Sequence, residues 1–252
     1  MKTFKQYLNE EVPSIPSPIH FKHVSGDGSS RLNEDLNDWV KKSDNEHLIE
    51  PGGDARENDV ISEKITTHHK LDDQHKRSIE YYTSVKGSKN INNDLIDVHN
   101  SKKTKENKKP FPDFETHSDK IDDAIKKAPI EHDVHVYSGV SFDPTKHLNK
   151  KGKMHSPAYI SATHSKNMAR SYAHDHKQFD PKLDKHISHI IHIPLKKGDP
   201  AIHVEKISNF PGEYETIIKR GSTLKHHGYE DHTHPAFPDK VYRVHKMSIV
   251  KK

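Results

Sequence analysis

Residues 212–218 read Gly-Glu-Tyr-Glu-Thr-Ile-Ile, two glutamates followed by three residues that favour a β-strand. Side chains two apart on a strand point to the same face, so Glu213 and Glu215 would project together, roughly 6–7 Å apart along the chain. The preceding residues 208–212, Ser-Asn-Phe-Pro-Gly, predict a mobile loop. Two carboxylates beside a loop can stabilise a developing cation and deprotonate a second reactant. Alternating glutamates also occur on solvent-facing strands, so this pattern alone leaves both interpretations open.

Outward from this stretch, period-two alternation predicts several further strands. Residues 134–140, Val-His-Val-Tyr-Ser-Gly-Val, alternate valine with other residues and predict the first strand. A second strand is predicted at residues 158–163, after which Ser165 is a suitable N-cap for a helix. The remaining strands are predicted at residues 187–193, 201–204, 214–219, 223–227 and 240–250.

Helical periodicity dominates the chain before the first strand. Helices are predicted at residues 75–85, 90–98 and 117–127. Helices first and then mostly strands predict an α+β domain and not a doubly wound sheet. Residues 13–65 are polar and rich in Gly, Asp, Asn and Ser, which predicts a weakly structured extension with one helix at residues 32–40. The predicted organisation is therefore an extension over residues 1–65 and one domain over residues 66–252.

The composition argues against several classes of protein. The chain has no cysteine, which excludes disulfides, thiolate nucleophiles and cysteine-based zinc sites. Its 41 basic and 37 acidic residues are too evenly balanced to predict nucleic-acid binding, and no segment approaches the roughly 18 apolar residues of a membrane span. The 24 histidines include no pair at the helical spacing of a zinc protease. No metal is therefore expected, and a histidine-based metal protein is kept only as an alternative.

Three segments in a fixed order are more specific than any one of them. They are residues 136–140 (Val-Tyr-Ser-Gly-Val), 159–163 (Tyr-Ile-Ser-Ala-Thr) and 213–215 (Glu-Tyr-Glu). Together they resemble the arginine-type, Arg-Ser-Glu class of mono-ADP-ribosyltransferases, whose signature is an aromatic-Arg-Gly strand, a Ser-Thr-Ser-like strand and a Glu-x-Glu strand. Residues 78–95 and the helix at 167–173 resemble the toxin and T-even-like phage exoenzyme branch of that family. The resemblance implies the ADP-ribosyltransferase-like fold, in which N-terminal helices precede a core of two packed, mainly antiparallel β-sheets.

The resemblance also assigns roles to individual residues. Glu215 would bond the 2′-hydroxyl of the nicotinamide ribose of NAD and stabilise the oxocarbenium-like state, while Ser161 would hold Glu215 in place. Glu213 would orient the acceptor, and a glutamate there goes with modification of arginine, whose protonated guanidinium needs a base beside it. Main-chain groups of Gly139 would bind the nicotinamide amide, and Phe210 would lie on the loop that meets the target protein. The implied NAD-binding set also contains Tyr137, Ser138, Ser161, Thr163 and Arg170.

Ser138 is the departure from the family pattern, because it stands where the family has an arginine. A charged hydrogen bond is worth about 1.5–3 kcal/mol, so its loss could weaken NAD binding roughly ten- to a hundredfold without compensation. Arg170, and less directly His135, are the candidate substitutes. The alternative is an inactive relative with a degenerated site.

The opening segment, residues 1–11, resembles the capsid-targeting segment of T-even-like phage internal proteins. It can form a short amphipathic helix over residues 1–12, and a frayed terminal helix is the alternative interpretation. The resemblance implies packaging in the virion and action in the host cytoplasm after injection, on RNA polymerase or translation proteins.

The sequence therefore predicts a monomeric glycosyltransferase that moves ADP-ribose from NAD to arginine of a host protein and releases nicotinamide. NAD is its co-substrate, and no metal, membrane or specific nucleic-acid partner is expected. The alternative function is an inactive virion protein that keeps the fold as a binding module.

Overall fold

The structure, a computed structural model, describes residues 55–84, 86–104, 114–234 and 237–251. The helices predicted at residues 1–12 and 32–40, and with them the segment that resembles a capsid-targeting signal, lie outside the described residues. Within the described ranges, four α-helices precede the first strand and a fifth follows the third strand. This order confirms the predicted α+β class.

The four leading helices are α1 (Ala55–Ile65), α2 (Asp73–Tyr82), α3 (Gly87–Thr104) and α4 (Phe114–Lys127). Helices α2, α3 and α4 confirm the three helices that the sequence predicted. The side chain of Asp72 caps α2, because it accepts hydrogen bonds from the backbone N–H groups of Gln74 (3.0 Å) and His75 (3.1 Å). In the part of the chain that the structure describes, no helix is long and apolar enough to cross a bilayer.

Helix α1 lies within the segment that the sequence analysis assigned to the extension. Its Ile61 and Ile65 lie one helical turn apart and are 3% and 0% exposed. Both pack into the sheet core beside Val136 and Ile218. The polar residues around this apolar pair hid it in the sequence, and the packed body therefore already includes α1, ahead of residue 66.

Nine strands of the described residues form the sheet. They are β1 (Val134–Val140), β2 (Lys153–His155), β3 (Ile160–Thr163), β4 (Gln178–Asp180), β5 (Lys185–Leu195), β6 (Ala201–His203), β7 (Glu215–Ile218), β8 (Thr223–His234) and β9 (Phe237–Ile249). All seven predicted strands are present, and β8 continues well past its predicted end at residue 227. The sequence analysis did not predict β2 and β4, which have three residues each.

The strands are hydrogen-bonded in the order β2-β8-β9-β5-β1-β3-β7-β6, and β4 pairs with β5. Every pair is antiparallel except β5 with β9, which is parallel. The mainly antiparallel core of the prediction is therefore present, and its strands are joined in one continuous hydrogen-bonded path.

Two apolar clusters cover opposite faces of the sheet near β7. Ile217 packs with residues of α2, α3 and α4, whereas its neighbour Ile218 packs with α1 and the central strands. Because side chains alternate along a strand, Glu215 lies on the same face as Ile217. The first catalytic candidate therefore faces the helices that lead into the domain.

Helix α5 (Lys166–Asp175) lies directly on β1. The hydroxyl of Ser165 caps it by accepting a hydrogen bond from the backbone N–H of Met168 (3.3 Å), as the sequence predicted. A Cβ atom on Gly139 would lie 2.4 Å from the carbonyl oxygen of Ala169 and 2.8 Å from the backbone nitrogen of Ala173. Only glycine at this position lets the helix approach the strand so closely.

Candidate active site

Strands β1, β3 and β7 lie side by side and bring the three sequence segments together. Tyr137 of β1 is paired with Thr163 of β3, which in turn is paired with Glu215 of β7. The three residues form one row across the sheet, and directly paired side chains lie on the same face. Residues that are distant in the chain, and that the sequence assigned to one site, are thus neighbours.

Glu215 is 9% exposed, and the hydroxyl of Ser161 hydrogen-bonds to its carboxylate. Burial raises the pKa of Glu215 to about 7, the Ser161 bond lowers it, and the nearby carboxylates of Glu213 and Glu205 raise it further. Glu215 therefore titrates near neutral pH while remaining shielded from water. The role of Ser161 in positioning Glu215 for catalysis stays a prediction.

A chain of hydroxyl groups supports Ser161 from the helices. The hydroxyl of Tyr82 lies 3.1 Å from Ser161 Oγ, and Asn92 Nδ2 donates to the Tyr82 oxygen at 3.2 Å. Because the single hydroxyl hydrogen of Ser161 is used toward the Glu215 carboxylate, Tyr82 is the donor to Ser161. Asn92 also accepts a hydrogen bond from the backbone N–H of Tyr159 (3.1 Å), which fixes the start of β3 against α3.

The sequence analysis gave neither Tyr82 nor Asn92 a role in the site. Tyr82 is fully buried, and burial together with the charge of Glu215 raises its pKa above the usual range. Its hydroxyl therefore stays protonated and remains a donor. In the sequence, the only sign of their role was that Tyr82 and Asn92 place polar groups among the apolar residues of two helices. Such polar groups are also typical of hydrogen bonds that only stabilise the fold.

The geometry of the glutamate pair differs from the prediction. Strand β7 begins at Glu215, and Tyr214 has a φ of 52°, in the left-handed region that side chains rarely adopt. The strand alternation therefore stops at Glu215, and the expectation that Glu213 shares a strand face with it is wrong. Glu213 is half-buried, and burial and Glu205 raise its pKa to about 7.

Glu205 holds this unusual backbone in place. Its carboxylate accepts hydrogen bonds from the backbone N–H groups of Gly212 (2.5 Å) and Tyr214 (2.7 Å). The loop before the strand is also tied to α2, because the backbone N–H of Asn209 donates to Thr83 Oγ1 at 3.0 Å. The segment that carries the half-buried Phe210 is therefore anchored at both ends, where the sequence analysis expected a mobile loop.

Ser138 links two strands at the point where they separate. Among the described residues β1 and β3 pair at Tyr137 and Thr163 alone, although β1 pairs with β5 along its full length. One residue beyond that pair, Ser138 Oγ donates a hydrogen bond to the carbonyl oxygen of Ser161 (2.7 Å). Ser138 thus contacts the main chain of the residue that holds Glu215, and it brings no charge to the site.

The structure does not bring Arg170 together with Ser161 and Glu215. Its guanidinium lies over the ring of Tyr242, 5.4 Å from the centroid, on the β5–β9 side of β1. Another cation on α5, Lys166, was not singled out by the sequence analysis. It is 6% exposed, and its Nζ lies 5.9 Å from the centroid of the Tyr137 ring, next to the row that ends at Glu215.

The space that a side chain at Gly139 would occupy is filled by the backbone of α5. Binding of the nicotinamide amide by main-chain groups of Gly139 stays a prediction.

The profile of the ADP-ribosyltransferase exoenzyme family matches residues 60–249. The chain belongs to this family. The match starts inside α1 and ends at the last residue of β9, so it covers the described domain and both glutamates. No curated protein matches the chain in sequence.

Solved structures of toxins share the fold of this ADP-ribosyltransferase at low sequence identity. The C3 exoenzyme of Clostridium limosum has a TM-score of 0.56 and 17% identity, and the match covers 84% of this chain and 99% of that one. C3stau2 of Staphylococcus aureus, solved with NAD, has a TM-score of 0.57 and 15% identity over 81% of this chain and 100% of that one. BECa of Clostridium perfringens, solved with NADH, has a TM-score of 0.58 and 16% identity over 81% of this chain and 50% of that one. The ADP-ribosyltransferase-like fold that the sequence predicted is confirmed.

Proposed function

We propose that the protein is a mono-ADP-ribosyltransferase that transfers ADP-ribose from NAD to an arginine side chain of a host protein and releases nicotinamide. The observation that carries this proposal is the hydrogen-bonded chain from Tyr82 through Ser161 to the buried carboxylate of Glu215. Membership of an ADP-ribosyltransferase family supplies the reaction class. Glu213, two residues away, supplies a second carboxylate with a pKa of about 7.

In the first step the bond between the ribose C1′ carbon and the nicotinamide nitrogen breaks, and its electron pair leaves with nicotinamide. Positive charge then develops on the ribose. The carboxylate of Glu215 stabilises that charge and accepts a hydrogen bond from the 2′-hydroxyl, as it would in a glycosidase. A carboxylate fixed beforehand by Ser161 needs little reorganisation as the charge develops.

In the second step a guanidine nitrogen of the acceptor forms the new bond to C1′. An arginine is protonated at neutral pH, so a proton must leave the attacking nitrogen. Glu213 is the proposed base, because a base is most effective when its pKa lies near the working pH. The anchored loop that carries Phe210 borders Glu213 and is the proposed contact surface for the acceptor protein.

The test of the enzyme is incorporation of labelled NAD into discrete proteins of a host-cell lysate. Wild type is compared with Glu215→Gln and with Glu115→Gln, which removes an exposed carboxylate at the start of α4. We expect label with wild type and Glu115→Gln and none with Glu215→Gln. Equal labelling by all three proteins would contradict the role of Glu215.

The arginine specificity is tested separately by Glu213→Gln. Because Glu213 acts on the acceptor, we expect this variant to retain hydrolysis of NAD and to lose transfer to agmatine, a small guanidine. Loss of both reactions to the same extent would show that Glu213 has no separate role toward the acceptor.

Ser138 favours the alternative function, a catalytically inactive binding module in the virion. It stands in the position of the family's arginine, and its hydroxyl is engaged with the Ser161 carbonyl. This alternative predicts that wild type neither hydrolyses NAD nor binds it in calorimetry. Hydrolysis or binding of NAD by wild type that the Glu215→Gln variant lacks would exclude the inactive alternative.

The place of action is proposed from residues 1–11 alone, through their resemblance to phage capsid-targeting segments. We propose a monomer that is packaged in the virion, enters the host cytoplasm with the DNA, and acts on RNA polymerase or translation proteins. A reporter fused to residues 1–12 should be packaged into phage heads, and a reporter with a scrambled segment should be left out.

A further inference from the structure

A second cluster of polar side chains lies on the other side of β1 from the glutamates. Asp143 follows β1, His189 lies on β5 and His245 lies on β9. One side-chain donor atom from each residue lies within 4.8 Å of the donor atoms of the other two. His189 and His245 are 4% and 0% exposed. Strands β1 and β3 separate this cluster from β7, so it takes no part in the proposed transfer reaction.

We propose that Asp143, His189 and His245 bind a divalent transition-metal ion, with Zn²⁺ as the expected ion. Two imidazoles and one carboxylate are a common three-residue donor set for zinc, and water supplies the fourth ligand. The proposal reverses the expectation from the sequence that the chain binds no metal. It is independent of the transferase activity.

The two imidazoles already face each other with their nitrogen atoms. His189 Nδ1 lies 3.0 Å from His245 Nε2. Two nitrogens bound to one tetrahedral zinc at the usual lengths are about 3.3 Å apart. A small outward movement of the two rings therefore lets both nitrogens bind one metal ion, which would take the place of the proton that now lies between them.

Further contacts orient two of the three ligands. His226 Nε2 lies 3.3 Å from the other ring nitrogen of His245, Nδ1. A partner at Nδ1 directs the lone pair of Nε2 toward the site, as the outer partners of metal-binding histidines do. The Oδ1 atom of Asp143 accepts hydrogen bonds from the backbone N–H of Thr145 (2.9 Å) and from its hydroxyl (2.7 Å), which hold the carboxylate against β1.

The local charge is compatible with a bound cation. Arg243 is paired with His189 across β5 and β9 and would oppose a metal ion if its charge were unbalanced. Its guanidinium, however, donates two hydrogen bonds of 2.7 Å to the carboxylate of Asp231. Asp143 then contributes negative charge to a site whose other ligands are neutral imidazoles.

The sequence could not have shown this site. His189 and His245 are 56 residues apart and meet only because β9 pairs in parallel with β5. A short ligand motif of the kind that identifies zinc proteins has no counterpart here. A metal at this position would join three segments, the loop after β1 and strands β5 and β9, and would stabilise the sheet.

The experiment is a titration of the full-length, tag-free protein with Co²⁺, which replaces zinc and has intense visible absorption in tetrahedral sites. Asp143→Asn removes the charged ligand, and its amide oxygen can still accept the Thr145 bonds, so the fold should survive. His227→Asn is the matched control for adventitious binding, because His227 is an exposed histidine on β8 next to His226.

We expect one equivalent of Co²⁺ with a tetrahedral spectrum in wild type and in His227→Asn, and loss of that spectrum in Asp143→Asn. Zn²⁺ should displace the Co²⁺ and raise the melting temperature of wild type and His227→Asn only. His189→Gln serves as a second variant if Asp143→Asn does not fold. Absence of a tetrahedral spectrum in wild type, or equal loss in His227→Asn, would overturn the proposal.

Discussion

The pKa of Glu215 depends on partners from elements that are remote in sequence. Burial by the helices raises it, and the hydroxyl of Ser161 on β3 lowers it. Tyr82 acts one step further along this chain, because its hydroxyl is hydrogen-bonded to Ser161. Reactivity at this carboxylate is therefore adjusted by hydrogen bonds from two separate segments.

We expect transfer activity to fall as the pH drops through about 7, because Glu213 and Glu215 both lose their charge there. Ser161→Ala removes a bond that stabilises the ionised form, so the acid limb of the kcat/KM profile should move to higher pH. The rate near neutral pH should fall roughly ten- to a hundredfold. Tyr82→Phe should move the limb in the same direction by less, and an unshifted limb in Ser161→Ala would contradict the role of that hydroxyl.

Lys166 is the buried cation that we expect to replace, in NAD binding, the arginine that the sequence resemblance leads one to expect at position 138. It lies beside Tyr137, whereas Arg170 lies over Tyr242. Lys166→Met keeps the apolar stem and removes the charge, so the KM for NAD should rise roughly tenfold or more while kcat changes little. Lys177→Met, an exposed lysine just after α5, is the control. An unchanged KM for NAD in Lys166→Met would show that Lys166 does not supply the charge that Ser138 lacks.

At the scale of elements, histidines attach α1 to the sheet. His164 Nε2 donates to the carbonyl oxygen of Asn58 (3.1 Å), and His203 Nε2 lies 2.7 Å from Ser62 Oγ. Burial lowers the pKa of His164 to about 4 and lowers that of His203 well below its usual value. Both rings are therefore neutral in the folded protein at pH values where they would be charged in the unfolded chain.

We expect burial of the His164 ring to reduce the stability of the folded protein in mild acid. The pKa of His164 is lower in the folded state than in the unfolded chain, so its contribution to stability is present above about pH 6.5 and is lost as the pH falls toward 4. Between about pH 7.5 and pH 5 the free energy of unfolding should fall by about 2 kcal/mol for this group. The variant His164→Gln keeps an N–H donor but has no imidazole to titrate. The buried glutamates contribute in the opposite direction in both proteins, so comparing urea titrations of wild type and of this variant isolates the contribution of His164. Identical pH dependence in both proteins would contradict the prediction.

The sequence predicted the elements well and their contacts less well. Period-two and helical patterns located seven of the nine described strands and helices α2–α5. Helix α1 was missed, since only Ile61 and Ile65 mark its buried face. The glutamates and Ser161 were found through an ordered set of motifs, whereas the backbone turn at Tyr214 and the role of Glu205 depend on tertiary contacts that no local pattern reveals.

At the scale of the whole molecule, β9 is the strand that holds the two halves of the sheet together. It lies between β8 and β5, so β2 and β8 reach the rest of the sheet only through it. It also contributes Met247 to the core cluster that contains Ile61 of α1, near the other end of the described chain. Contacts between such distant segments are typical of slowly folding topologies.

We therefore expect a chain that stops at residue 236 to lose cooperative unfolding and NAD turnover together, although it retains Glu213 and Glu215, the proposed catalytic pair. A chain that starts at residue 55 keeps every described element and should retain both properties. Urea unfolding followed by circular dichroism, with NAD hydrolysis measured in parallel, compares these two shortened chains. Cooperative unfolding of the chain that stops at residue 236 would show that β9 is dispensable for the core.

The central position of β9 has a consequence for synthesis on the ribosome. Glu213 and Glu215 are translated before residues 237–249, so a nascent chain carries both glutamates before the sheet around them can close. A nascent chain that stops before this strand lacks the strand that joins β8 to β5. If the proposed function is right, turnover of NAD should therefore begin only after translation has passed residue 249.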